Sequence, residues 1–211
     1  MRVTRVVIGI AFLLVACGSG SASSLNHPAT PSPTTSVSAL LVLTTWVPDS
    51  KVTNGPEPGY KPALSDLTGH DIQSATAVLD NTGTYWVLNI LFTASGTTLF
   101  AMLTRANVAA CPGDLATGAG SGCPQRHLAF WLDLTPADID NWDDPTYASK
   151  VSQLYDLGCL SHRSATTVCP KLVSDPITLQ EIDSGNAIMN CSCDQAGAKE
   201  LADAINAMAH S

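Results

Sequence analysis

A short apolar leader that ends at a cysteine constrains this chain more than any other feature of its sequence. Arg2 and Arg5 precede an apolar run from Val6 to Ala16. This run has the length of the apolar region of a signal peptide and is shorter than the ~20 residues that a membrane-spanning helix needs. The chain is therefore predicted to fold outside the cytoplasm, where disulfide bonds form and persist.

The end of the leader, Leu14-Val15-Ala16-Cys17, is similar to the lipobox of bacterial lipoproteins, in which the cysteine thiol accepts a diacylglyceryl group. We expect residues 1–16 to be a signal peptide and Cys17 to be the lipidated first residue of the mature chain. Two acyl chains anchor a protein stably, so the predicted location is the extracytoplasmic side of the cell membrane. The alternative is an ordinary secreted protein or an uncleaved anchor.

The charge balance restricts the partners of the chain. Ten Lys and Arg stand against eighteen Asp and Glu, and the formal net charge is −8. A nucleic-acid-binding surface carries positive charge to contact the phosphates, and this net charge is negative, so we expect no nucleic-acid partner. An acidic surface is not attracted to anionic lipid headgroups either, which leaves the lipid as the anchor.

Composition divides the rest of the chain into two parts. Residues 17–39 are predicted to be the acylated cysteine and a flexible tether, because the residues that follow Cys17 are almost wholly Ser, Thr, Gly, Pro and Ala. Residues 40–211 are dense in periodic apolar segments and long enough to bury an independent core, so we expect one domain there.

Apolar periodicity in this domain predicts an α+β fold. A continuous apolar run predicts a strand at Leu40–Val47. Apolar patterning predicts further strands at Ala75–Leu79, Trp86–Phe92, Leu128–Leu132, Ile177–Ile182 and Ala187–Met189, with turns at 80–83 and 183–186 that form two hairpins. Leu99, Met102, Leu103 and Ala106 fall at helical spacing, as do Ala198, Leu201, Ala202, Ile205 and Met208 after an N-cap at Asp194. The predicted fold is a mostly antiparallel sheet with two helices packed on one face and disulfide-closed loop insertions.

Six cysteines remain after Cys17, an even number that favours disulfides in an exported protein. Cys111 and Cys123 bracket one polar loop, and Cys159 and Cys169 bracket another, so we expect these two pairs. Closing loops of this size stabilises by roughly 3 kcal/mol each in the chain-entropy model.

Cys191 and Cys193 lie two residues apart, so they could bond to each other in a small ring or to cysteines of other loops. A labile disulfide here would indicate a thiol-disulfide oxidoreductase, whereas a structural role is the commoner explanation. A zinc site is not expected, because no C-x-x-C is present and His127 and His162 have no recognisable ligand spacing.

The chain lacks the common catalytic motifs, including G-x-S-x-G, H-E-x-x-H, a P-loop and a dinucleotide-binding G-x-G-x-x-G. We therefore expect no enzymatic activity, no cofactor and no metal. Calcium is a weak hypothesis for one acidic stretch, which comprises Asp133, Asp138, Asp140, Asp143 and Asp144. The stretch does not fit the EF-hand pattern, because Trp142 occupies the position of a ligand and Asp143 occupies the position of the turn glycine. Alternatively, Thr135 caps a short helix that Pro136 begins.

Two tryptophans, Trp131 and Trp142, are compatible either with an aromatic binding surface or with ordinary packing.

Several segments together resemble the head subdomain of the first extracytoplasmic domain of SecD, a subunit of the Sec protein translocase. These segments are Leu67–Ala75, Trp86–Gly96, Phe100–Thr104, Leu128–Asp133, Asp175–Ile177, Ile182–Ile188 and the helix carrying Ala198, Leu201 and Ala202. The resemblance implies a SecD-head-like α+β domain that makes transient contact with an emerging polypeptide. It transfers no catalytic residue to this sequence.

The sequence departs from this family in two ways. Residues 134–174, which include Cys159 and Cys169, stand where the family has a short turn. Members of the family continue into transmembrane helices that couple proton movement to export, and we expect none here. The predicted function is noncatalytic: a lipid-anchored extracytoplasmic protein that binds peptide or protein segments, in connection with the Sec machinery. The alternatives are the oxidoreductase and a structural envelope lipoprotein without a specific ligand.

Overall fold

The computed structural model describes residues 41–53, 57–112, 122–164 and 166–209. The predicted signal peptide, Cys17 and the tether lie outside the described residues. The strands are β1 (Leu41–Pro48), β2 (Tyr60–Leu64), β3 (Ile72–Leu79), β4 (Trp86–Phe92), β5 (Leu128–Leu132), β6 (Leu172–Ser174) and β7 (Asn186–Asn190). The helices are α1 (Ala94–Ala110), α2 (Pro136–Asp140), α3 (Pro145–Val151), α4 (Leu157–Ser161) and α5 (Gln195–Ala209).

The strands form two antiparallel sheets. One has the order β2-β1-β5-β6 and the other has the order β3-β4-β7. The predicted α+β class with antiparallel strands is confirmed, as is the β3-β4 hairpin. The single sheet of the sequence-based prediction is instead divided into two.

The predicted second hairpin is wrong. Ile177 makes only one isolated bridge, to His127, and β7 pairs with β4 instead. The backbone of the segment before β7 bonds elsewhere: Thr178 N–H donates to the Arg126 carbonyl and Ile182 N–H donates to Thr104 Oγ1. These two hydrogen bonds are made in place of the strand pairing that the predicted hairpin would need.

Strand β5 is buried on both faces, and its two faces belong to two different cores. Leu128, Phe130 and Leu132 join a first core with residues of both sheets, α1 and α5. Ala129 and Trp131 join a second core on the opposite side of the sheet. A strand with this continuous apolar sequence is stable only when both faces are covered.

The first core includes Leu88 and Ile90 of β4 and four residues of the predicted α5 stripe: Ala198, Leu201, Ala202 and Ile205. In α5, Ala198, Leu201 and Ile205 are fully buried. Asp194 Oδ1 accepts from Gly197 N–H at 2.9 Å, so the predicted N-cap of this helix is present.

Helix α1 forms where the spacing predicted it, but it buries a different face. Met102 and Ala106 are exposed and Leu99 and Leu103 are only partly buried, whereas the buried residues are Gly96, Phe100, Thr104 and Asn107. A Cβ at Gly96 would lie 2.2 Å from the carbonyl oxygen of Asp71, so only glycine permits this close approach. The polar side chains of Thr104 and Asn107 can be buried because both donate hydrogen bonds: Thr104 to the Phe100 carbonyl and Asn107 to the His127 carbonyl.

The second core is built around three tryptophans, Trp46, Trp131 and Trp142, which contact one another edge to face at centroid distances of 5.7–6.4 Å. All three are at most 1% exposed. Trp131 Nε1 donates to Thr44 Oγ1 at 2.8 Å. The aromatic binding surface considered for Trp131 and Trp142 is therefore wrong. Helices α2 and α3, from the inserted residues 134–174, cover this face of the sheet.

Asp138 of α2 is bonded to three other residues of the insertion, including Lys171, which directly precedes β6. Its carboxylate accepts from Lys171 Nζ at 2.6 Å, from Tyr147 Oη at 2.7 Å and from Thr135 Oγ1 at 2.7 Å. The Asp138 and Lys171 side chains are only 6% and 7% exposed. Burial raises the pKa of Asp138, but the bonds from Lys171, Tyr147 and Thr135 outweigh it and hold the pKa below its usual value.

The structure therefore does not support calcium binding by the acidic stretch. Asp138 is occupied by Lys171 and forms the capping box with Thr135, and Asp144 caps α3 through Thr146 and Tyr147 N–H. These bonds leave neither carboxylate free to serve as a calcium ligand.

We predict that Asp138→Asn lowers the free energy of unfolding by about 3–5 kcal/mol at pH 7, because Lys171 then remains buried without a counter-charge. In the unmodified protein, the stabilisation from Asp138 is present above the unfolded pKa of about 4. It is lost as the pH falls through the lower folded pKa. Urea unfolding between pH 3 and pH 7 measures both effects.

The matched control is Asp140→Asn, an exposed change on the same helix, for which we expect a shift within about 0.5 kcal/mol. Equal stabilities of the two variants at pH 7 would contradict the role assigned to Asp138. So would an Asp138→Asn protein whose stability falls with acid as steeply as that of the unmodified chain.

Candidate functional site

An apolar groove lies between α1, β5, β7 and the segment that leads from β6 into β7. Its volume is about 610 Å³. Phe100 and Thr104 of α1 and Leu128 and Phe130 of β5 line it, together with parts of 176–188. None of the described residues that line the groove is charged. Such a concave apolar surface suits an apolar ligand and selects little by charge.

Two hydrogen bonds hold the 176–184 segment as a wall of the groove. Thr178 N–H donates to the Arg126 carbonyl at 2.7 Å, and Ile182 N–H donates to Thr104 Oγ1 at 3.0 Å. Between them, Glu181 forms an exposed ion pair with Arg105 of α1. The Glu181 hydrogen bond raises the pKa of Arg105, and the same bond lowers the pKa of Glu181.

The rim of the groove carries two large exposed apolar side chains. Leu179 is 66% exposed and Ile188 is 71% exposed, and both line the groove. Fully burying a side chain of this size contributes about 1.5–3 kcal/mol, so both are ready contacts for an apolar partner.

Strand β7 also offers unpaired backbone. Phe92 N–H donates to the Gly185 carbonyl, so Gly185 is hydrogen-bonded to the β4 side. In an antiparallel ladder, every second residue of a strand is hydrogen-bonded to the same neighbouring strand. Ala187 and Met189 therefore turn their backbone groups toward β4, and Ile188 turns its own away. Among the described strands, β7 has no neighbour on that side. An extended peptide could pair there.

Sequence reasoning did not predict this groove. It assigned Ile177, Leu179 and Ile182 to a strand, whereas the structure places them in the groove wall. It missed Thr104, which lies four residues after Phe100 and eight after Gly96, on one helical face. The spacing of Gly96, Phe100 and Thr104 could have indicated the buried face of α1, but a threonine is normally assigned to the surface of a helix.

The structure places the cysteines in three bonded pairs: Cys111 with Cys123, Cys159 with Cys169, and Cys191 with Cys193. The third pair lies between β7 and α5. Cys191 is fully buried and Cys193 is partly exposed, so an attacking thiolate could approach only Cys193.

A protein-family model matches most of the domain. Residues 61–209 match the family model described as SecDF, P1 head subdomain. The chain belongs to this family, as the sequence resemblance predicted. A search of curated proteins found no match.

Two solved structures resemble the chain at 18% identity over 81% of its length. One is described as a membrane component SecDF that enhances protein export, with a TM-score of 0.46. The other is SecDF in a super-membrane-facing form, with a TM-score of 0.44. The chain spans 63% of the first and 19% of the second. Of the helices in the described ranges, none is both long and apolar enough to cross a bilayer.

We predict that Thr104→Val destabilises the protein by about 1–3 kcal/mol, because the Ile182 N–H loses its acceptor in a largely buried position. Hydrogen exchange should show a specific loss of protection at the Ile182 amide. Thr98→Val is the control, since Thr98 lies exposed on the same helix and its hydroxyl donates to the Ala94 carbonyl of that helix. An unchanged Ile182 exchange rate in Thr104→Val would refute this account of the groove wall.

Proposed function

We propose that this chain is a noncatalytic, lipid-anchored extracytoplasmic protein whose head domain binds extended apolar polypeptide segments during protein export. The observation that carries the proposal is an apolar groove beside an unpaired strand edge, with Leu179 and Ile188 exposed at its rim. Membership of the SecDF P1 head family supplies the link to export.

The groove and the strand edge suit the same kind of ligand. Pairing along β7 supplies main-chain hydrogen bonds that do not depend on sequence, and the groove accepts apolar side chains on alternate positions. The five residues of β7 match a peptide of similar length, about 17 Å when extended. This combination favours unfolded segments rich in apolar residues, which are the segments that a chain exposes before it folds.

The uncharged lining has a second consequence for the ligand. Association with a charged groove weakens with salt, whereas burial of apolar surface is little affected at moderate ionic strength. Peptide binding here should therefore depend on apolar content and extended conformation more than on net charge.

We predict that Ile188→Pro weakens the binding of a fluorescently labelled extended apolar peptide by about tenfold or more. Proline removes the N–H that points away from β4 and truncates an exposed contact, and edge strands tolerate proline at such positions. Fluorescence anisotropy of the full chain with the peptide measures the change, and unfolding curves check that the domain stays folded.

Two variants separate the contributions. Ile188→Ala keeps the N–H and should retain part of the affinity. Leu79→Ala removes a comparably exposed apolar residue from β3, at the opposite edge of the sheet, and should bind normally. If Ile188→Pro binds as tightly as Leu79→Ala, the groove is not the site. Absence of peptide binding by the unmodified chain would favour the structural envelope lipoprotein.

We also propose that Cys17 carries the lipid and that residues 17–39 tether the head to the membrane. In cells, Cys17→Ser should move the protein from the membrane fraction to the soluble extracytoplasmic fraction, because the acyl chains provide the anchor. Mass spectrometry of the mature amino terminus should find an acylated cysteine. An unmodified thiol there, or membrane retention of Cys17→Ser, would contradict the proposal.

A further inference from the structure

Three ionisable side chains from distant parts of the sequence meet beside the groove. Glu57 lies in the β1–β2 loop, His127 just before β5, and Asp175 just after β6. One potential ligand atom from each lies within 4.8 Å of the other two. His127 Nδ1 and Asp175 Oδ2 are 3.1 Å apart.

Neighbouring bonds hold the pair formed by His127 and Asp175 in place. Trp46 Nε1 donates to Asp175 Oδ1 at 3.3 Å, which leaves Oδ2 directed at the imidazole. The His127 carbonyl accepts from Asn107 Nδ2 at 3.1 Å, and the backbone of His127 bridges to Ile177. Outer bonds of this kind fix the orientation of ligands in known metal sites.

The cluster is short of positive charge. Two carboxylates face one imidazole, and the His127 and Asp175 side chains are only 16% and 21% exposed. A divalent cation would neutralise both carboxylates at once.

We propose that Glu57, His127 and Asp175 bind a divalent transition-metal ion of the zinc class. Ligand atoms around a tetrahedral zinc at about 2.0–2.2 Å are separated by about 3.3–3.6 Å, close to the 3.1 Å already present between His127 Nδ1 and Asp175 Oδ2. Glu57 completes the set by rotating its side chain. One nitrogen and two oxygen ligands suit zinc and its neighbours, whereas calcium and magnesium prefer oxygen alone.

Binding at this position would affect the groove. Pro176 and Ile177, which line it, directly follow Asp175. The ion would connect the β1–β2 loop to the start of β5 and to the beginning of the groove wall, so it would stabilise that wall against opening. Three protein ligands leave a fourth position for water.

The test is equilibrium dialysis of the tag-free, oxidised full chain against Zn²⁺, with Co²⁺ absorption as a second readout of coordination. We expect Glu57→Gln, Asp175→Asn and His127→Gln each to weaken zinc binding by about tenfold or more. His70→Gln and His162→Gln are matched controls, because both histidines are exposed and lie outside the cluster. They should bind zinc as the unmodified chain does.

Glu57→Gln keeps the test decisive if the more buried variants fold poorly, since it changes one partly exposed loop side chain. Excess Mg²⁺ should not displace the ion, and bound Co²⁺ should show the intense visible bands of a four-coordinate site. Zinc affinity unchanged by Glu57→Gln, displacement by equal Mg²⁺, or absence of binding to the unmodified chain would each overturn the proposal.

Discussion

Strand β5 consists of five consecutive apolar residues, and burying both of its faces requires apolar partners on both sides of its sheet. On one side, the second sheet and the long helices α1 and α5 supply them. On the other side, the inserted residues between β5 and β6 supply Trp142, Ala148 and Val151, which pack with Trp46 and Trp131. The insertion is therefore part of the hydrophobic structure and not an addition to its surface.

The polar centre of the insertion follows from the same constraint. Helix α2, packed on the tryptophan-rich face of the sheet, brings Asp138 into the interior beside Lys171, the residue before β6. Each buried charge is tolerated only because the other is present. The carboxylate also closes the capping box of α2 and accepts from Tyr147. Burial raises the pKa of Tyr147 to about 12, and the hydrogen bond to Asp138 adds to this effect.

The groove exists because the chain must pass from one sheet to the other. The 176–184 segment leaves β6 in the first sheet and enters β7 in the second, and its backbone is satisfied by Arg126 and Thr104 rather than by a strand. A gap therefore remains beside β7, with apolar side chains at its rim. The peptide-binding proposal and the metal proposal concern neighbouring parts of this crossing, because Asp175 immediately precedes the residues that line the groove.

The sequence by itself determined the features that depend on near neighbours in the chain. Alternation specified the β3-β4 hairpin and β5, and Asp194 with the apolar stripe after it specified α5. Thr135 with Pro136 specified the start of α2. The ordered segments of the SecD head identified the family. Only the tertiary structure decided which face of α1 is buried, because Phe100 and Thr104 turn inward where Gly96 meets Asp71. It alone also decided that the strands divide into two sheets, and that Glu57, His127 and Asp175 meet. Those outcomes depend on contacts between residues far apart in the chain, and local spacing carries no information about them.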